Sequence, residues 1–392
     1  MNKNILWAYG FRPFFLAAAL YGGGFVVLWV ALLLLGRVPE VFSNPSAWHA
    51  HEMIFGFVGA ALAGFILTAT PSWTDTPAVE GRPLQGLFIL WLAGRMAMLF
   101  ADYLPDFLVV SINLPFLPVL AFWIGRSMVR GRSTRHLSFL WAILLLWLTQ
   151  GVMFSGWLLE MDRLIEAGQN AALVLLMILI ILAITRISMV VVNHALEEQG
   201  DDRMFLPRPP RRNLAIAALA VYGVADLIVP GHPAVGWLAF AAAFAQLDCL
   251  ADFHMGRVLV KPYVAALYAT HLWIAIGLAG LGLDILSDYD VGGAARHALG
   301  IGAVGTAILG VLTIAGLRHT GHELIFPKRA VAAIVCLSLS GILRVFAPLI
   351  YPDGYVSLGI EAATVFWVGG FAFYLWAFWP KLTTPRVDGQ PG

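Results

Sequence analysis

Hydrophobic residues in this chain fall into long blocks separated by short polar segments. Twelve blocks are each near the roughly 20 residues a helix needs to cross a bilayer. Their approximate limits are 14–36, 50–70, 84–101, 107–128, 137–159, 169–192, 213–230, 234–253, 262–283, 295–317, 329–350 and 356–379. The third and fourth are joined by residues 102–106, the seventh and eighth by Pro230, Gly231, His232 and Pro233. The longest break, 197–213, holds Pro207, Pro209 and Pro210, which end any helix there. No loop is long enough for a soluble domain. The pattern predicts an all-α integral membrane protein, a bundle of twelve transmembrane helices forming one domain over residues 1–392.

Polar residues give the bundle its orientation. With the N-terminus inside, eighteen of the 24 Lys and Arg fall in inner segments, Lys3 and Arg135 among them. Outer segments hold only Arg37, Arg163 and Arg296, while Arg95, Arg186 and Arg344 lie in or near spans. That bias predicts cytoplasmic termini at both ends. Composition agrees with a membrane class: 12% of residues are charged, against about 25% in soluble proteins. A net charge of +1 gives no hint of nucleic acid. Cys249 and Cys336 both sit in apolar segments and read as buried thiols rather than a disulfide. The run from Phe14 to Leu35 is too long for a cleavable signal and reads as a retained first helix.

The block that draws attention begins at Trp48-His49-Ala50-His51-Glu52-Met53 and runs on to Trp73. Two imidazoles and a carboxylate stand where this helix enters the membrane. In a helix His49 and His51 point about 200° apart, so each meets a different neighbour, while His49 and Glu52 share a face. Imidazole is the commonest protein ligand of transition metals, so these residue types suit a metal or haem site. Glycines follow His51 at Gly56, Gly59 and Gly64, and follow His297 at Gly302, Gly305 and Gly310. The matching offsets suit an internal repeat; close helix packing produces the same spacing.

The topology sorts the histidines by depth. His49, His51, His232 and His297 lie near the outer face, and His136, His194, His254, His319 and His322 near the inner face. His271 falls near mid-membrane. His136 and His232 read as interfacial residues. His51, His271 and His297 read as ligands, because an ionisable group inside a bilayer is costly without a function. The outer site is expected to combine His49, His51 and His297, with His271 reaching it or a haem beneath it. His194, His254, His319 and His322 stand between ligation in a second, inner site and hydrogen bonding at the interface. Arg95 and Arg344 suit haem propionates, or an ion pair that fixes helix packing. Asp248 and Asp252 read as a proton path or as one wet helix face. No zinc-protease helix, spaced Cys pair, phosphate loop or nucleophile elbow is present, and Gly22-Gly23-Gly24 reads as close packing.

Taken together, Phe11-Arg12-Pro13-Phe14-Phe15, Trp48-His49-Ala50-His51-Glu52-Met53 and Leu92-Ala93-Gly94-Arg95 resemble the NnrS family of bacterial membrane proteins. His297-Ala298-Leu299 with Gly302 and Gly305-Thr306, and His319-Thr320-Gly321, carry the resemblance through the second half. It implies a twelve-span protein of the bacterial inner membrane that contains haem b and copper and relieves nitric oxide stress. It does not name an electron donor; quinol is one candidate. The chain departs from the family pattern at the end of the sixth block. Ile184-Thr185-Arg186-Ile187-Ser188-Met189 and then Asn193-His194 stand where a Gly-Gly-Arg-Val-Ile-Pro run is expected, which marks a divergent member. The rival reading is a transporter or metal-handling protein without redox chemistry, since many spans and intramembrane charges are as typical of transporters. A third is a quinol-oxidising haem anchor for a partner enzyme.

Overall fold

A computed structural model describes residues 5–39, 41–42, 44–134 and 136–390. Lys3 and Arg135, counted above among the inner basic residues, lie outside the described residues. Among those described, every regular element is helical. We label the main helices α1 (Phe11–Leu35), α2 (Pro45–Thr74), α3 (Arg82–Leu99), α4 (Asp106–Arg130), α5 (Leu137–Leu158), α6 (Asp162–Glu198), α7 (Pro209–Ile228), α8 (Pro233–Leu250), α9 (Pro262–Leu286), α10 (Gly292–His319), α11 (Lys328–Ile350) and α12 (Pro352–Thr383). Each matches one hydrophobic block, with ends displaced by no more than a turn or two.

Ten of these stretches are long and apolar enough to cross a membrane. The two that fall short are α3 and α7. Arg82, Gln85 and Arg95 dilute the first; Arg211, Arg212, Asn213 and Asp226 dilute the second. At 37 residues, α6 is about 55 Å long at 1.5 Å per residue, so its ends extend beyond a hydrocarbon core of about 30 Å. Large apolar side chains such as Phe107, Phe122 and Trp141 are exposed, as a lipid-facing surface requires. Cys249 and Cys336 are free thiols.

Local sequence explains the helix ends. Gly36 takes the left-handed conformation (φ 61°) that closes α1, its N–H returning to the carbonyls of Leu32 and Leu33. At the start of α2 the Asn44 side chain accepts from the Ser46 N–H, and Pro45 occupies the first turn. This cap sets the start of α2 five residues before the predicted limit, so His49 and His51 sit within the helix rather than at its mouth.

Helix contacts gather the chain into two compact units. The first comprises Met1–Ala172, Leu312–Ile325 and Phe371–Gly392. Here α1 lies along α2, and α2 packs on the second half of α4. Gly22 of α1 faces Phe57, and Gly64 of α2 faces Phe14 and Phe15, in both cases too closely for a side chain. The triple glycine is therefore a packing feature. The second unit comprises Leu173–Val311 and Phe326–Gly370. In it α8 packs between α7 and α9, and α9 packs against the first half of α10.

Among the described residues, three helices are broken by a π-helical stretch, one of them Tyr355–Ala362 in α12, and two of the breaks follow directly on a histidine. In α2 a π-helical stretch, Glu52–Val58, follows directly on His51. In α10 another, Ala298–Gly305, follows directly on His297. A π-helix widens the turn and shifts the backbone hydrogen bonds, and it is frequent at functional sites. The first glycine of each matched set, Gly56 and Gly302, lies within its break and admits a bulky neighbour. Gly56 meets Tyr21 and Arg95, and Gly302 meets Trp273.

The Gly302 contact gives a packing prediction. A Cβ there would penetrate the Trp273 ring, which also abuts Gly341. Gly302→Ala should cost about 1–3 kcal/mol, the usual penalty of overpacking a core. Gly300, two residues away, has open space around it, so Gly300→Ala should not destabilise. Thermal unfolding of the two variants in detergent makes the comparison, and equal midpoints would refute it.

Candidate functional site

The site of the first unit grows from the helical rotation of α2. His49 and Glu52 both turn towards α1. The His49 ring stacks on Trp29 at 4.8 Å and on Phe25 at 6.0 Å, while Glu52 accepts a short hydrogen bond from the Tyr21 hydroxyl. His51 turns the other way, to α5, where its ring meets Phe154 at 5.1 Å. One helix thus presents two imidazoles to two different neighbours.

Glu52 is the hub, only 1% exposed. A buried carboxylate must be paired to be tolerated, and this one has three donors. Besides Tyr21, its Oε1 accepts from Arg95 of α3 at 2.7 Å and from His51 Nδ1–H at 2.8 Å. Arg95 donates its other terminal nitrogen to Asn113 Oδ1 at 2.7 Å, and the Asn113 amide donates to the Val109 carbonyl at 2.8 Å. The π-helical stretch contributes as well, since the Gly56 carbonyl accepts from the Trp91 indole N–H at 2.9 Å. Only glycine fits at position 56, because a Cβ would stand 2.8 Å from the Arg95 guanidinium.

The network decides the state of His51. A carboxylate can only accept, so Nδ1 carries a proton; with Arg95 already balancing the Glu52 charge the buried ring is neutral, and Nε2 keeps a lone pair. Gln150 of α5 donates its amide to that Nε2 at 3.2 Å. Phe42, Phe55 and Phe154 surround the ring at centroid distances of 5.6, 4.9 and 5.1 Å. A fixed tautomer with a carboxylate behind it is the arrangement that metal-ligating histidines adopt. Arg95 bonds both Glu52 and Asn113, an ion pair that fixes the packing of α3 on α2.

In the second unit, His297 ends the first helical stretch of α10. Its Nδ1–H donates to the Gly293 carbonyl at 2.7 Å, which again leaves Nε2 with the lone pair. His271 is 3% exposed and is paired with the Gln246 amide of α8. Two residues on, and so about 200° around the helix, Trp273 packs on Gly302 and Gly341. His271 therefore faces α8, while the opposite side of α9 faces α10 and α11. His271 and His297 thus have separate hydrogen-bond partners, Gln246 for the one and the Gly293 carbonyl for the other. Arg344 donates to the Tyr355 hydroxyl at 3.2 Å, with its guanidinium 5.3 Å from the centre of that ring.

The four histidines expected at the inner face each have local partners. His194 pairs with Glu198 at 3.3 Å, and Glu198 also accepts from Lys261 at 2.7 Å. His254 lies 3.3 Å from the Tyr268 hydroxyl. In the first unit the His319 ring packs 5.6 Å from Phe11, and His322 bonds the Thr320 hydroxyl at 2.9 Å. Burial, and then the charge of Lys381, lower the His322 pKa. Asp248 and Asp252 both pair with Arg211, at 3.1 and 2.6 Å. His232 caps α8, accepting from the Ala234 N–H. His136 is packed rather than waterside, with its ring stacked 4.2 Å from Trp73. Among the described residues, no three His, Cys, Asp or Glu side chains converge to hold a metal ion.

Tyr21, Asn113 and Gln150 complete the network, and sequence reasoning gave none of them a role. Gln150 was visible as a polar residue inside a span. Tyr21 and Asn113 carried the same signal, a hydrogen-bonding group in an apolar block that must find a partner.

Fold and site together define a multi-pass helical membrane protein with a buried, charged hydrogen-bond network around a histidine of fixed tautomer. The family model described as NnrS protein matches residues 5–386, nearly the whole chain. The chain belongs to the NnrS family. A comparison with curated proteins finds no match.

Proposed function

We propose that this protein binds haem b through His51 and uses it to capture nitric oxide in the bacterial inner membrane, relieving nitrosative stress. Family membership suggests a nitric oxide-related haem and copper protein. The observation that carries the reading for this chain is the state of His51. Its Nδ1–H is tied to Glu52, its Nε2 holds a lone pair, and its walls are aromatic. That donor chemistry fits a residue that would hold a haem iron. Haem held there would supply an iron able to bind a diatomic gas. The residues here would hold the ring, fix its tautomer and exclude water. His297, with the same lone-pair nitrogen, is a second candidate ligand. His49, in its aromatic stack, and the buried His271 are further ones.

Copper fits less well. The absence of a three-donor cluster among the described residues gives it no site comparable to His51, and no chemistry is assigned to it. Turnover of nitric oxide needs electrons and protons, for which a membrane quinol is the natural donor. We further read all twelve helices as spans with both termini cytoplasmic. The π-helical breaks after His51 and His297 support a repeat of the α2 motif in α10.

Absorption of the purified protein tests the reading. A Soret band is expected in the wild type, and its loss in His51→Ala, with the variant still inserted in the membrane. A colourless wild-type protein, or full haem content in His51→Ala, overturns it.

A further inference from the structure

One contact in the first unit lies outside the ion-pair network. Because Glu52 takes the Nδ1 proton of His51, only the amide nitrogen of Gln150 can face Nε2. A buried glutamine can usually turn its amide over, since oxygen and nitrogen have nearly the same shape. Glu52 removes that freedom. The result is a Gln150 Oε1 that is buried with no hydrogen-bond partner, on a residue 2% exposed. A partnerless buried carbonyl is unfavourable and offsets much of what the N–H···N bond contributes. Gln246 and His271 form a similar pair in the second unit. Among the described residues no carboxylate is hydrogen-bonded to His271, so that amide remains free to turn its oxygen to the ring.

We propose that Gln150 is a displaceable gate on His51, an amide that occupies Nε2 in the cofactor-free protein and yields it to haem iron. This rests on His51 being a haem ligand. The gate follows from two properties of the contact. It satisfies a lone pair that the surrounding Phe42, Phe55 and Phe154 rings cannot satisfy, which keeps the imidazole in place. It is also weak, because Oε1 gains a chance of a partner as soon as the amide leaves. Gln150 is thus a positioning residue that competes with the ligand.

The test uses Gln150→Leu, which keeps the side chain's bulk and removes both amide atoms. In cofactor-free protein labelled with 15N-histidine, the His51 signals are those lost in His51→Ala. The Nε2 signal is expected to move in Gln150→Leu, and an unmoved signal overturns the gate whatever haem does. Titration with haem b should then reach half-saturation at about fivefold lower concentration in Gln150→Leu, the effect of removing one competing hydrogen bond. Equal or weaker binding in Gln150→Leu, with binding abolished in His51→Ala, overturns the gate and leaves the ligand assignment standing. Undiminished binding in His51→Ala overturns the ligand assignment itself, and the gate with it.

Discussion

Arg95→Met is expected to lower folding stability by about 3–5 kcal/mol, the usual cost of removing one partner from a buried ion pair. The guanidinium lies 2.7 Å from Glu52, and both side chains are nearly inaccessible, at 4% and 1% exposure. Without Arg95 the carboxylate keeps only Tyr21 and His51 as donors and sits in an apolar environment as an uncompensated charge. Asn113 loses its guanidinium donor at the same time. Glu52→Gln alone leaves the opposite charge stranded and should cost a similar amount. The double variant Glu52→Gln/Arg95→Met should be milder than the sum of the two, because neither charge then remains buried. Thermal unfolding of all four proteins in one detergent gives the coupling. Additive losses would mean that the two residues do not act as a pair.

The same cycle bears on function. His51 owes its tautomer to Glu52, and Glu52 keeps its charge beside Arg95, so the state of a candidate ligand depends on a residue 44 positions away. Little of that chain was legible in the sequence. The blocks themselves were, because the bilayer imposes a length and a composition that any reader can count. The two-sided display of His49 and His51 was legible too, since it needs only the pitch of one helix. Which helix stands beside which face is a tertiary matter. Tyr21, Asn113 and Gln150 therefore carried a signal of need, a polar group in lipid, without a signal of partner.

The π-helical breaks had only an indirect trace. Nothing in Glu52–Val58 or Ala298–Gly305 forbids an ordinary α-helix. What the sequence did show was the matched run of glycines after His51 and His297, and both explanations offered for it bear on the structure. The glycines are packing contacts, against Tyr21 and Arg95 in one unit and Trp273 in the other. They also fall at the same place relative to the breaks. The place of His271 along α9 was likewise legible, but not the direction of its ring, which depends on whether α8 or α10 lies on that side of α9.

Arg12→Met is expected to destabilise the first unit by about 3 kcal/mol, from the loss of two charge-assisted hydrogen bonds of about 1.5–3 kcal/mol each, offset in part by the burial of an apolar side chain. By position, Arg12 reads as one more inner positive charge. The structure buries it completely. Its guanidinium donates at 2.8 Å to the carbonyls of both Leu382 and Thr384, and more distantly to that of Lys381. The last carbonyls of a helix have no partner within it, and α12 ends at Thr383. A cation also suits the negative end of the helix dipole. Arg12 thus ties the start of α1 to the end of α12. The segment beyond continues the tie. Arg386 donates to the His319 carbonyl, and the Val387 N–H donates to that of Thr320. Arg386 also pairs with Asp388, holding its pKa down to about 2. Arg12→Lys should recover only part of the loss, because an ammonium keeps the charge but not the flat fork that reaches two carbonyls at once. Hydrogen exchange gives the local readout. In Arg12→Met the amides of residues 382–388 should exchange faster, while those around Glu52 remain protected. An unchanged unfolding midpoint with unchanged exchange at the end of α12 would show that the buried guanidinium does not hold it.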